Sequence, residues 1–159
     1  MGLDMYLSAK RFVWRNLNDD GAISNIIAEH YPELSSLSNG DKLDNLGSVS
    51  YIIVRAAYWR KANAIHGWFV QNIQDGSDDC GHYPVYRESL KELRDLCAEV
   101  LENKDGEVAS ENLPPAKGFF FGSYSIDEYY WEDLKNTVSM IDKCLALPDQ
   151  WDFEYHSSW

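Results

Sequence analysis

The chain has no apolar run of the roughly 18 residues that a membrane-spanning helix needs, so no membrane partner is expected. Cations are scarce: 14 Lys and Arg stand against 26 Asp and Glu, a net charge of −12 at pH 7. Phosphate contacts need cations, so direct nucleic-acid binding is not expected. The first residues, Met-Gly-Leu-Asp-Met-Tyr, hold neither a basic nor an apolar stretch, so no secretory signal is read there. Cysteine is limited to Cys80, Cys97 and Cys144, an odd and widely spaced set. That pattern fits reduced thiols in a cytoplasm better than a disulfide framework. Gly-rich phosphate loops, a G-x-S-x-G elbow and an H-E-x-x-H helix are all missing. Repeats and low-complexity segments are missing too.

What the chain does have is aromatic bulk and acid. With 159 residues, 45% of them hydrophobic, it is long enough to bury a core as one domain spanning 1–159. Aromatics make up 14%, enough both to fill a core and to offer stacking surfaces to planar ligands. The acid is uneven: residues 1–74 hold seven Lys/Arg and seven Asp/Glu, whereas residues 75–159 hold seven and nineteen. The second half is therefore an acidic surface, suited to solvation or to a basic protein partner.

Leu3, Met5, Leu7 and Ala9 alternate with polar residues, which predicts an N-terminal strand. Residues 14–48 form a long excursion: a turn at 18–21, a short helix at 22–31 and a Ser- and Asn-rich stretch at 35–47. Residues 49–54 predict a second strand, and residues 56–73 a helix. On a helical wheel Tyr58, Ala62, Ile65, Phe69 and Ile73 form the apolar stripe, and His66 falls inside the apolar arc. A second helix is expected over 87–103, with capping-box spacing at Ser89 and Glu92 as well. Residues 104–117 are expected to be a polar loop. Gly118 to Gly122 is expected to be a buried strand or tight turn. A capping box at Ser125 and Glu128 opens a third helix with the stripe Trp131, Leu134, Val138, Ile141 and Leu145. Trp151, Phe153 and Tyr155 alternate as a C-terminal strand. The predicted class is α+β: a small antiparallel sheet that includes both terminal strands, packed by about three helices.

Several segments together resemble a family of small, uncharacterised bacteriophage and prophage proteins. They are the Met-Gly-Leu-Asp-Met-Tyr-Leu start, Tyr58 to Val70, Asp78-Asp-Cys-Gly81, Gly118-Phe-Phe-Phe-Gly-Ser123, Asp127 to Leu134 and the final Ser157-Ser-Trp159. The resemblance covers residues 1–9 and about 51–159, and the excursion is particular to this chain. It implies a phage or prophage origin and a bacterial host cytoplasm, and it supplies no activity.

The stretch from Tyr58 to Val70 carries more special side chains than a packing helix needs. Trp59 and Trp68 can stack on a planar ligand, Arg60 and Lys61 can pair with phosphates, and Asn63 can read a base edge. With His66 they are the candidate ligand-binding residues. Arg60 and Lys61 stand about 100° apart on a helix, which strains a shared small site. Asp78, Asp79 and Cys80 are the metal-ligating candidates, but the loop matches neither an EF-hand nor a zinc pair, so no metal is expected. No cofactor is expected either. The leading expectation is a phage-type accessory protein that sequesters or senses a nucleotide-like small molecule without catalysis. One alternative is an acidic inhibitor of a basic host protein, of defence or nucleic-acid-binding type. The other is a small enzyme using His66 with Asp79 or Cys80. The terminal Trp159 either docks back or serves as an anchor in a homo-oligomer.

Overall fold

Period-two patterning forms β1 (Asp4–Phe12), in which Met5, Leu7 and Ala9 are fully buried and Tyr6 and Ser8 point to the opposite face. The computed structural model describes residues 2–12, 51–118 and 121–159. The turn, short helix and polar stretch expected within 14–48 lie outside the described residues, as do residues 119–120. The chain divides into two compact units, Met1–Lys10 with Ile53–Trp159, and Arg11–Ile52. In the second unit the described residues include Phe12 and Tyr51, whose rings meet edge-on with centroids 5.2 Å apart.

The strands β2 (Tyr51–Arg60), β1, β4 (Asp152–Ser158) and β3 (His82–Val85) make a four-stranded antiparallel sheet in the order β2-β1-β4-β3. The terminal strands β1 and β4 are its two central members. Their register sets Met5 opposite Ser157, Leu7 opposite Tyr155 and Ala9 opposite Phe153, and all six are buried. Each fully buried Leu on this face contributes about 1.5–3 kcal/mol by leaving water. On the other face four rings run in a row across the strands. Tyr58, Tyr6, His156 and His82 have successive centroid separations of 5.4, 6.0 and 4.2 Å.

Four helices occur among the described residues: α1 (Asn63–Asn72), α2 (Arg87–Asn103), α3 (Gly106–Asn112) and α4 (Glu128–Leu145). Their apolar sides join the buried sheet face in one core. Phe69 of α1 stacks flat on Tyr155 of β4 at 3.9 Å. The α2 residues Leu90, Leu93, Cys97 and Val100 are buried, as are Leu134 and Ile141 of α4. Burial pushes the Cys97 thiol up to about 12 and the Cys144 thiol up to about 11, so both are inert core residues. Arg87 ties the start of α2 to the end of α4: its guanidinium donates to the carbonyls of Leu145, Leu147 and Pro148 at 3.3, 3.0 and 2.7 Å. The Pro148 carbonyl also accepts from Trp151 N at 3.1 Å, and a cation suits the carbonyl end of the helix dipole.

The α+β class and the two terminal strands match expectation, and several elements do not. The helix expected over 56–73 is a strand through Arg60 and a helix only from Asn63. Tyr51 to Tyr58 is rich in β-branched and aromatic residues, so sheet pairing extends past the Ala pair, and the left-handed backbone at Lys61 (φ 59°) then breaks the strand. Instead of about three helices there are four among the described residues, because residues 106–112 of the expected polar loop are helical. There Asp105 is the cap, its carboxylate accepting from Glu107 N at 2.7 Å. The cap of α4 is Asp127 rather than Ser125. Its carboxylate accepts from Tyr129 N and Tyr130 N at 3.0 and 3.2 Å. Strand β3 had no expectation: with Pro84 and four residues it is a short edge strand that carries almost no period of its own.

Candidate functional site

Lys61 holds the corner between β2 and α1. Its amide donates to Leu3 O at 2.8 Å, and its carbonyl accepts from Asn63 N at 2.8 Å. A non-glycine residue in the left-handed region carries strain on the order of 1 kcal/mol, the kind that collects at functional sites. The Lys61 stem passes between two glycines, since a Cβ added to Gly2 or Gly122 would come within 3.3 Å of it. Gly122 is itself left-handed, φ 97°. The close approach and the backbone angle both call for glycine there.

A cavity of about 410 Å³ borders this corner. Arg60, Lys61 and Asn63 line it from one part of the chain, and Gly122, Ser123 and Ser125 from another. Asp127, Tyr129, Tyr130 and Asp133 add the start of α4. Several polar groups here are already committed. The Asn63 amide donates to Phe121 O at 3.3 Å and to Ser123 O at 2.7 Å, so it fixes the 121–123 backbone. Asp127 caps α4, and the Tyr130 hydroxyl donates to Leu113 O at 2.9 Å.

Arg60, Lys61 and Asp133 are different. Among the described residues none of the three takes part in an ion pair, although they share one cavity. Burial pushes the Asp133 carboxyl up to about 6, and the nearby acids Glu132 and Asp127 push the same way. Among the described residues no cation offsets them. An Asp within reach of a guanidinium would be held low instead.

The later turns of α1 border a second cavity of about 510 Å³. Its walls include Trp68, Leu113, Pro115 and Phe121, with Gln71, Asn72 and Lys117 among its polar members. Ala116 crosses Gly67 so closely that a Cβ on that glycine would meet its Cβ at 2.9 Å. His66 also borders this cavity but is fully buried. Its Nδ1 lies 2.8 Å from the Tyr155 hydroxyl and its Nε2 lies 3.0 Å from Asp78 Oδ2. With Asp78 ionised, Nε2 carries the proton and Nδ1 accepts from Tyr155. The other Asp78 oxygen accepts from the Trp159 indole at 3.1 Å. Burial, and Asp78 beside it, hold the Tyr155 hydroxyl well above the usual phenol range, so it keeps its proton. Both His66 nitrogens are thus engaged inside the protein, and neither is left for a substrate.

The six ligand-binding candidates therefore do not form one group. Trp59 is core: it is 3% exposed, its indole donates to Thr137 Oγ1 at 2.9 Å, and its ring meets Phe69 edge-on. Arg60, Lys61 and Asn63 border the first cavity, and His66 and Trp68 the second. The carboxylate that reaches His66 belongs to Asp78. Asp79 instead accepts from Gly81 N at 2.8 Å and from the Tyr83 hydroxyl at 2.9 Å, contacts that hold its carboxyl below the usual range. Cys80 is a partly exposed free thiol in a left-handed turn, φ 57°. Among the described residues no three His, Cys, Asp or Glu side chains gather into a metal site, and no helix is long and apolar enough to cross a membrane.

Sequence reasoning passed over Asp133 and Tyr129. The signal for Asp133 was its register: it falls three residues after the buried Tyr130 and four before the buried Thr137. A stripe drawn through Tyr130, Thr137 and Cys144 shows a carboxylate on the packed side of the helix. No family model, no curated protein and no solved structure matches the chain.

Proposed function

We propose that the protein is a non-catalytic binder of a small anionic molecule of nucleotide type, held in the cavity between Lys61 and the start of α4. The observation that carries this is the pair of cations, Arg60 and Lys61, that border a cavity of about 410 Å³ without an ion pair among the described residues. A fixed Lys stem and an Arg fork are the usual means of holding phosphate. Tyr129, 78% exposed at the rim, supplies a face for a planar group. A role as a phage accessory protein that sequesters or senses its ligand rests on the resemblance of the segments quoted above. The test is a thermal-shift screen of mono-, di- and cyclic nucleotides against the wild-type protein and an Arg60→Ala, Lys61→Ala double variant. A ligand at 100 times its Kd stabilises the wild type by about 2.7 kcal/mol. A shift in the wild type that the double variant loses is expected, and no shift with any nucleotide contradicts the proposal.

A second reading has its own observation. Glu92, Glu99 and Glu102 on α2 and Glu132 on α4 are exposed and outside the ion pairs of the described residues, so these helices present acidic groups suited to a basic host protein. Capture of such a partner at low salt and its release at high salt is the outcome expected of that role, and salt-insensitive capture contradicts it.

A further inference from the structure

Resting on the proposed binding site, we infer that the ligand carries a pair of adjacent N–H donors or an ammonium as well as its negative charge, and that Asp133 is the residue that selects it. The cavity holds both signs of charge. Arg60 and Lys61 are at the end of β2 and the corner after it, and Asp133 lies on α4. A guanidinium and a carboxylate within reach of each other frequently form a bidentate pair. Here they share a cavity and stay apart. A ligand placed between them meets cations on one part of its surface and a carboxylate on another.

Asp133 is suited to reading and not to holding the fold. Asp127 is spent on the helix cap, and the Asn63 amide on the 121–123 carbonyls. Asp133 has no such task. Burial and the neighbouring acids Glu132 and Asp127 already hold its carboxyl high, to about 6, and no cation among the described residues relieves it. A donor brought by a ligand relieves that cost, so binding energy is gained where the free protein is least satisfied. The helix N-terminus is not the anion site, because Asp127 already accepts from the Tyr129 and Tyr130 amides.

Two sources share this chemistry: a guanine nucleotide, whose base edge donates two N–H groups, and an aromatic α-amino acid, whose ammonium sits beside a carboxylate. Titration calorimetry with GMP, AMP, tyrosine and inorganic phosphate separates them. GMP or tyrosine is expected to bind at least about tenfold more tightly than AMP and phosphate. Which of the two wins names the source, and tyrosine binding without GMP binding removes the nucleotide reading of the site while keeping the paired-charge site. Asp133→Asn is expected to remove that preference while leaving the weak phosphate binding in place, and Arg60→Ala to weaken every ligand. Equal binding of GMP, AMP, tyrosine and phosphate overturns the inference and leaves the anion site standing. A preference that survives Asp133→Asn also overturns it. Binding of none of the four overturns both. The Asp133→Asn variant removes charge from a half-buried site and is expected to fold, which its far-UV spectrum and unfolding midpoint verify.

Discussion

On α1, His66 is fully buried and both of its ring nitrogens are bonded to protein, one to Tyr155 and one to Asp78. At the corner before α1, Arg60 and Lys61 border a cavity with Asp133, and none of the three takes part in an ion pair among the described residues. A buried network in which every member is satisfied rigidifies a fold. Charges kept apart around a hollow do little for the free protein, and their use lies in what they hold. His66 was the more conspicuous residue in the sequence, yet the corner at Lys61 has the stronger claim to a ligand.

The difference breaks most sharply at His66. His66→Ala leaves the Tyr155 hydroxyl and Asp78 without their shared partner and opens a hole. It is expected to lower unfolding stability by roughly 3–4 kcal/mol in urea titration, against under about 0.5 kcal/mol for Arg60→Ala. Equal effects at the two positions would erase the distinction. Trp59→Phe comes next: it keeps most of the ring but strips the hydrogen bond to Thr137. A loss of about 1–2 kcal/mol is expected, with ligand affinity unchanged, and a binding defect without a stability defect would return Trp59 to the site.

Asp133 moves the other way. Its carboxyl is raised from the ordinary value of 3.8 to about 6, so the folded protein binds the proton more tightly than the unfolded chain does. The cost of ionising it is absent below about pH 4, grows as pH rises and is complete above about pH 6. Asp133→Asn is therefore expected to stabilise the free protein at pH 7.5 by about 1 kcal/mol, after allowance for partial solvent screening, and to change little at pH 4. Destabilisation at pH 7.5 would show that the carboxylate has a protein partner. The smallest effect is at Lys61. Glycine tolerates the left-handed backbone, so Lys61→Gly is expected to shift stability by less than about 0.5 kcal/mol while weakening ligand binding.

The fold was legible where the period was strong. Leu3, Met5, Leu7 and Ala9 at one end and Phe153 and Tyr155 at the other declared the two central strands, and α2 begins and ends where its apolar spacing puts it. The 56–73 helix failed because Ala56 and Ala57 favour helix on their own, and pairing with β1 overrode that preference. His66 stood out on the wheel as a polar group in an apolar arc, and it is buried. Its partner Tyr155 is 89 residues away, beyond what spacing can show. Asp133 was visible in principle. It was hidden by a stripe that held the buried Leu134 and Ile141 but continued through Trp131, Val138 and Leu145, which are only partly buried.

The most direct measurement maps where a ligand sits. Backbone amide shifts of ¹⁵N-labelled protein titrated with GMP, and with tyrosine in parallel, report on both cavities at once. The account predicts perturbations concentrated at Lys61, Asn63, Ser123, Tyr129 and Asp133, with Gln71, Asn72 and Lys117 unmoved. Shifts centred on Trp68, Gln71 and Lys117, or none with either ligand, would contradict it.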